Sequence, residues 1–525
     1  MRRHAGFHVF RFTVTALSAA ALIGCGGSDD NDNGGAAGAS ATAEQACGAL
    51  AGKTVAGATV ATAATVAASG AVPLYCKVNA TIAPQLNLEL RLPQAWNGKL
   101  HYAGGGGYNG AINPLAGAPL SALKMGYATV TSDSGHTGNV LSADFALNDT
   151  YAANLFGSLS VPTVLSSARE MVQAAYGKLP DKAYFEGCSN GGREGLMAAQ
   201  RNPNLFDGII ARAPAYNWVG FMGQFNRTAK ALAAPGGSFS AAKVATLAAA
   251  VRAACDAGDG IVDGVVANPQ ACTFDPAVLR CAGGADTGNA CLSDPQLAAV
   301  ASWTGTASWA GGAYTNTGWA LTGNEDDPGA WATWVSGPGG NVQGALQYLF
   351  QDTTVKNYLA RNRAQDSLAY TWDSNLNAMY ALAALNDATN SDLRPLMNSS
   401  AKLILWHGGN DSALSYKATT AYYQAATAAV GGQAAMDGFA RYYIAPGVNH
   451  CSGGPGADDT DLLSALDAWA SQGTAPGTLT ATKVAGGATQ FTRPLCQYPQ
   501  YPRYTGPANN AAAAALASNY TCTAP

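Results

Sequence analysis

The stretch KAYFEGCSNGGREGLMAAQ, residues 182–200, decides the fold. Its opening KAYFE is short, apolar and aromatic, the reading of a buried strand. Its close, GGREGLMAAQ, has helical composition. Between them Gly187-Cys188-Ser189-Asn190-Gly191 fits G-x-S-x-G. Strand, tight turn and helix in that order form a nucleophile elbow, in which a strained turn lifts a serine hydroxyl clear of the sheet.

A serine hydroxyl is a weak nucleophile until a base takes its proton, so a histidine is required. Beyond the N-terminal leader the chain offers His101, His136, His407 and His450. His101 lies within a strand, and His136, in Ser134-Gly135-His136-Thr137-Gly138, reads as a hydrogen-bonding brace for its loop. His407 closes the strand LILWH with no well-placed acid between it and the serine. His450, in Pro446-Gly-Val-Asn-His450-Cys451, follows the last strong strand. The chain order serine, acid, histidine is that of α/β-hydrolases. It selects Ser189 as nucleophile, His450 as base and Asp411, just after LILWH, as the acid that orients the base. Asp458 and Asp459 follow the histidine and read as helix caps. Cys188 and Cys451 adjoin nucleophile and base, so a meeting of those residues brings the two sulfurs within bonding range.

The glycine-rich segment 104–110 contains G-x-G-x-x-G at Gly105, Gly107 and Gly110. No acidic residue stands about 20 positions on and no clear helix begins there, which excludes a dinucleotide site. A loop of this kind can instead aim a backbone N–H, near Gly107, at a developing oxyanion beside the N–H of Asn190.

Strand patterns at 99–103, 127–132, 182–186 and 207–213 alternate with helical ones at 161–177 and 192–200, and strands return at 402–406 and 441–445. The run 75–92 also reads as strand. This alternation predicts a mostly parallel α/β sheet. From 216 to 398 the texture changes to Ala-rich helical pieces and Trp- and Gly-rich loops. The reading is a discontinuous catalytic domain, 46–215 and 399–525, interrupted by an insertion, 216–398. Ala511 to Ala515 reads as a short helix.

Composition narrows the class. The chain has 525 residues, 48% hydrophobic and 12% charged, with 62 glycines. Low charge and abundant aromatics exclude a disordered chain. A net charge of −4 gives no basic field for nucleic acid. Arg2, Arg3 and Arg11 precede an apolar stretch, 12–24, of signal-peptide length and too short to span a bilayer. It ends in Leu22-Ile23-Gly24-Cys25, which resembles the bacterial lipobox. Residues 1–24 are thus expected to be a lipoprotein signal peptide, Cys25 the lipidated residue, and 25–45 a flexible tether. The protein is expected to be exported in a Gram-negative bacterium, to the outer membrane or periplasm, with secretion as the alternative and a lipid anchor as its sole membrane contact. Eleven cysteines less Cys25 leave ten, an even number suited to disulfides. No C-x2-C pair favours zinc, and sequence alone does not choose the pairing.

The Cys-Ser and His-Cys elements, with the elbow and chain order above, resemble the tannase/feruloyl esterase family over 47–522. The resemblance implies an α/β-hydrolase with an inserted lid, the triad Ser189, Asp411 and His450, and a disulfide Cys188–Cys451 joining it. It further implies Cys47–Cys76, Cys255–Cys272, Cys281–Cys291 and Cys496–Cys522. The segment Cys255-Asp256-Ala-Gly-Asp259-Gly-Ile261-Val-Asp263-Gly-Val265 does not fit the EF-hand template. It resembles the family's structural calcium loop, with Asp256, Asp259 and Asp263 as side-chain ligands and Ile261 and Val265 as carbonyl ligands, a donor set suited to a hard cation. Trp331 and Trp334, with Tyr348 and Phe350 nearby, are candidates for the wall of an aromatic pocket. Family members that cleave terephthalate monoesters use a lid arginine, and none lies between Trp331 and Phe350. The expected substrate is therefore a small aromatic ester, feruloyl-type first, galloyl second and terephthalate monoester third. A serine peptidase and a surface binding lipoprotein without turnover are the rivals.

Overall fold

Apolar runs following residue 54 pair edge to edge into one ten-stranded sheet. In chain order its strands are β1 (Thr54–Val55), β2 (Ala58–Val66), β3 (Tyr75–Ile82), β4 (Leu86–Pro93), β5 (Lys99–Ala103), β6 (Ala128–Ser132), β7 (Lys182–Cys188), β8 (Gly208–Arg212), β9 (Lys402–Gly408) and β10 (Ala440–Ala445). Their order across the sheet is β1-β2-β3-β4-β6-β5-β7-β8-β9-β10. This computed structural model describes residues 41–525. The signal peptide 1–24, Cys25 and the tether as far as residue 40 lie outside the described residues. The tether expected to reach residue 45 gives way sooner. Thr42 and Gln45 form a reciprocal capping box that starts the helix Ala43–Leu50.

The sheet is less uniformly parallel than the alternation predicted. From β6 through β5, β7, β8, β9 and β10 every pairing is parallel. From β1 to β4, and from β4 to β6, every pairing is antiparallel. The reason is connection length. The 75–92 run is two strands, β3 and β4, joined by a turn too short for a crossover, which permits only a hairpin. Helices Gly117–Lys124, Ser160–Tyr176 and Asn190–Arg201 supply the crossovers among the parallel strands.

Successive residues of a strand face opposite sides. Tyr184, Ile210, Ile404 and Trp406 point to one side, onto Leu462, Leu463 and Leu466. Phe185, Ile209, Leu403 and Leu405 point to the other, onto Val164, Met171, Leu196 and Met197. Residues 216–398 add no strand to this sheet. They gather around a third core that includes Trp218, Phe225, Trp303, Trp319 and Trp331. Five disulfides join Cys47–Cys76, Cys188–Cys451, Cys255–Cys272, Cys281–Cys291 and Cys496–Cys522, the pairs that the resemblance implied. Among the described residues no helix is long and apolar enough to cross a membrane.

Candidate active site

The carboxyl ends of β5, β7, β8, β9 and β10 lie side by side along one edge of the sheet. Register aligns them: Ala103 pairs with Glu186, Cys188 with Arg212, and Gly408 with Ala445. Gly107, Ser189, Asp411 and His450 each sit just past one of these ends, the position at which open α/β sheets hold their ligands.

Ser189 ends β7 with φ 63° and ψ −119°, and the helix Asn190–Arg201 starts at once. The turn is tight enough to require bare backbone. A Cβ on Gly187 would lie 2.6 Å from the backbone of Gly191, and one on Gly191 would lie 2.8 Å from the Gly105 carbonyl. Ser189 N–H donates to the Arg212 carbonyl at 3.0 Å, and its own carbonyl accepts from Ala215 at 3.0 Å. A positive φ in a non-glycine residue stores strain that the surroundings hold in place. Cys451 shows the same sign, φ 66°. These two strained positions are bridged through Cys188, with 6.0 Å between the Cα atoms of the bonded cysteines.

His450 Nδ1 lies 2.7 Å from Asp411 Oδ2. A second imidazole shares that oxygen, with His407 Nε2 at 3.1 Å. His407 Nε2 is also 3.0 Å from the Leu414 carbonyl, and its Nδ1 is 3.0 Å from Thr419 Oγ1. Carbonyl and carboxylate oxygens only accept, so Nε2 carries a proton and, in the neutral ring, Nδ1 accepts from the threonine. The other oxygen of Asp411 accepts the backbone N–H groups of Ala413 and Leu414, each at 2.8 Å. Burial pushes the Asp411 carboxyl upward, but the charge of His450 and the hydrogen bonds of both imidazoles outweigh it. They hold the group well below the usual carboxylate range. Among the described residues Ser189 Oγ forms no hydrogen bond to another side chain, a looseness common in free enzymes.

The loop 104–110 is fixed against the elbow by a buried network. Glu194 accepts from Gly105 N–H at 3.0 Å, from Asn109 Nδ2 at 2.8 Å and from Asn190 Nδ2 at 3.0 Å. Arg193, fully buried, donates to Asn190 Oδ1 at 2.7 Å and to the carbonyls of Gly157 and Phe156. Gly107 has φ 55°, and a Cβ there would lie 2.3 Å from the Val140 carbonyl. Sequence reasoning missed this network. Glu194, four residues past Asn190 on one helix face, was the signal for it.

A narrow pocket opens onto Ser189. Its walls are Gly107, Asn190, Ala215, Trp218, Phe221, Met222, Phe225, Trp334, Phe350, Ala413 and Leu414, with no charged side chain among them. Trp334 also meets the His450 ring edge-on, 5.0 Å between centroids. Trp331, expected beside it, does not line the pocket: it is 1% exposed and packs against Trp303 and Phe239. The short helix Trp331–Trp334 turns one tryptophan into the core and the other towards the site. Tyr348 is likewise not a wall residue, whereas Phe350 is. His101 is buried in β5, as expected, whereas His136, expected as a hydrogen-bonding brace, is held instead by stacking on Phe145 at 3.7 Å, its two ring nitrogens buried without a partner.

A cavity of about 840 Å³ lies elsewhere, between residues 259–267, the C-terminal segment that includes Phe491 and Tyr520, and the foot of the His450 loop. It contains neither Ser189 nor His450. The acidic loop on its wall has donors suited to a hard cation. Asp256 Oδ1 is buried without a partner, and burial together with the charges of Asp263 and Asp256 pushes Asp259 up to about 7. Backbone N–H groups of Ile261 and Ala267 occupy the Asp259 oxygens, and Arg493 Nη2 is 2.9 Å from Asp263 Oδ2. Among the described residues no three carboxylate, imidazole or thiolate groups draw together as a ligand set. A cation here therefore needs backbone carbonyls as well, the part expected of Ile261 and Val265.

A sheet that gathers a strained serine, a glycine-rich loop and an Asp–His pair at its carboxyl edge has the arrangement of the α/β-hydrolases. Comparison with known proteins narrows this. Residues 68–523 match the family described as tannase and feruloyl esterase. A mono(2-hydroxyethyl) terephthalate hydrolase of Piscinibacter sakaiensis is 34% identical, over 87% of this chain and 86% of that protein. A probable feruloyl esterase of Arthroderma benhamiae is 30% identical, over 83% and 84%. The crystal structure of an esterase from Aspergillus oryzae superposes with a TM-score of 0.80 at 22% identity, covering 92% of this chain and all of that one. The chain belongs to the tannase and feruloyl esterase family, and it is a carboxylic ester hydrolase.

Proposed function

We propose that the protein is a serine esterase that hydrolyses esters of aromatic acids, with Ser189 as nucleophile, His450 as base and Asp411 as orienting acid. The observation that carries this is the Asp411–His450 hydrogen bond beside an apolar pocket that opens on Ser189. With Nδ1 donating to Asp411, His450 keeps Nε2 as the acceptor for the serine proton. Ser189 Oγ attacks the ester carbonyl, and the backbone N–H groups near Gly107 and at Asn190 receive the oxyanion. His450 passes the proton to the departing alcohol, which leaves an acyl-Ser189; it then takes a proton from water as the water oxygen bonds the acyl carbon, and gives that proton to Ser189 Oγ as the acid leaves.

The pocket walls rank the acyl groups. A terephthalate monoester would bury a free carboxylate among Trp218, Phe225, Trp334 and Leu414 with no cation opposite, a strongly unfavourable transfer. A galloyl group would bury three phenolic hydroxyls against the same apolar wall. A feruloyl group carries a single phenol at its far end, so it leaves fewest polar groups unpaired. We therefore place feruloyl-type esters first, galloyl esters second and terephthalate monoesters third. Residues 216–398 act as the lid of this pocket, since they supply most of its aromatic wall. The 256–265 loop takes a structural calcium ion through Asp256, Asp259, Asp263 and the carbonyls of Ile261 and Val265. When bound, the ion supplies charge compensation to these carboxylates and stability to the lid. Export and a lipid anchor at Cys25 remain part of this reading.

The test is kcat/KM for methyl ferulate, methyl gallate and a mono-ester of terephthalic acid, with Ser189→Ala as control. The expected order is ferulate, gallate, terephthalate, each abolished in the variant. A preference for the terephthalate ester would overturn the pocket argument. Absence of turnover on every ester would favour a binding protein.

A further inference from the structure

Two asparagines precede the proposed acid and base: Asn410 before Asp411, and Asn449 before His450. Both are buried, 4% and 3% exposed. Asn410 Nδ2 donates to Asn449 Oδ1 at 2.6 Å, so the loops after β9 and β10 are joined one residue short of the Asp411–His450 contact. Backbone bonds reinforce the junction: Gly409 N–H donates to the Ala445 carbonyl at 2.7 Å, and Asn410 N–H to the Val448 carbonyl at 2.9 Å.

Every remaining hydrogen bond of the two side chains reaches residues 322–327, on the inserted segment. Asn410 Nδ2 also donates to the Asn324 carbonyl at 3.1 Å, and its Oδ1 accepts from the Thr322 hydroxyl. Asn449 Nδ2 donates to Asp327 Oδ1 at 2.6 Å. The directions are forced. The Asp327 carboxylate and the Asn324 carbonyl only accept, so Asn449 turns its amide nitrogen to Asp327 and its oxygen to Asn410. Asn410 then has both amide hydrogens committed and only its oxygen left for Thr322. Space is reserved for the arrangement, since a Cβ on Gly329 would lie 2.7 Å from Asn449 Nδ2. Such a satisfied buried network specifies one geometry.

We propose that Asn410 and Asn449 are positioning residues for the Asp411–His450 pair, and that the inserted segment, through Thr322, Asn324 and Asp327, sets their register. The inference rests on the triad reading above. The inserted segment then does more than cover the substrate: it holds acid and base in the alignment that proton transfer needs.

A carboxylate swap tests it. Asn449→Asp keeps an acceptor for Asn410 but sets two carboxylates against each other at Asp327. Asp327→Asn in the same chain restores a donor–acceptor pair. The expected result for Asn449→Asp is a kcat lower by at least about tenfold with KM changed by less than about twofold, because small misplacements of a base are costly in rate. The double variant is expected to recover kcat to within about threefold of wild type, a coupling that independent sites do not show. Thermal midpoints are measured in parallel. An unchanged kcat in Asn449→Asp, or a double variant that regains its midpoint but not its kcat, would overturn the proposal. Ser189→Ala separates the two levels: if it is inactive while Asn449→Asp matches wild type, only the positioning role falls. If Ser189→Ala hydrolyses esters like wild type, the triad reading itself falls.

Discussion

Asp411 concentrates more hydrogen-bond donors than any other residue of the proposed triad: two imidazoles on one oxygen and two backbone N–H groups on the other. Its carboxyl is thereby held well below the usual range despite burial. The sign follows from linkage. A carboxylate depressed in the folded state contributes stability that is fully present above the unfolded value, about 3.9, and is lost only as pH falls through the lower folded value. Between about pH 4 and 7 Asp411 therefore stays ionised. In that window Asp411 is expected to add no proton to any acid limb of kcat/KM, so the slope does not exceed one. A slope of two would contradict it. At this scale the sequence was legible where chain order carried the information: it matched Asp411 with His450, which lie 2.7 Å apart. It was silent on His407, whose tie to Asp411 depends on a turn that folds residues four apart onto each other. Trp331 and Trp334 were indistinguishable by composition, and only the direction of a short helix separates core from pocket.

Among the elements, the elbow and the two loops after β9 and β10 carry the proposed triad, and Cys188–Cys451 links the elbow to the second of these loops across 263 residues. A cross-link over so long a stretch restricts the unfolded chain strongly. Replacing both cysteines with alanine is expected to lower stability by about 2–5 kcal/mol and to reduce kcat more than it raises KM, as read by thermal unfolding and steady-state kinetics. An unchanged kcat would show that the backbone bonds alone hold the loops. The parallel strands were legible because apolar runs bounded by turn residues recur with helices between them. The antiparallel half was not: β2 is an Ala- and Thr-rich strand with only Ala58 and Val60 fully buried, so it lacks the apolar signature. Its pairing is set by neighbours that local pattern does not reveal.

Over the whole molecule, the inserted segment and the sheet meet at the pocket, at the Asn410–Asn449 junction and beside the acidic loop. If that loop holds calcium as proposed, chelation is expected to lower the thermal midpoint by several degrees and calcium, not magnesium, to restore it. An identical midpoint with and without chelator would remove the ion from the account. The gap in the sheet was legible from the change in texture at 216 and the return of a strand at Lys402, between which no strand joins it. Its internal architecture was not, because glycine-rich loops and one-turn helices leave no periodicity to read. The central claim, that Ser189 is a nucleophile activated by His450, is tested most directly by covalent labelling with an aryl dialkyl phosphate, followed by peptide mass mapping. The account predicts one dialkylphosphoryl group on Ser189, formed in step with loss of esterase activity and suppressed in His450→Ala. Loss of activity with Ser189 unmodified, or equal labelling in His450→Ala, would contradict it.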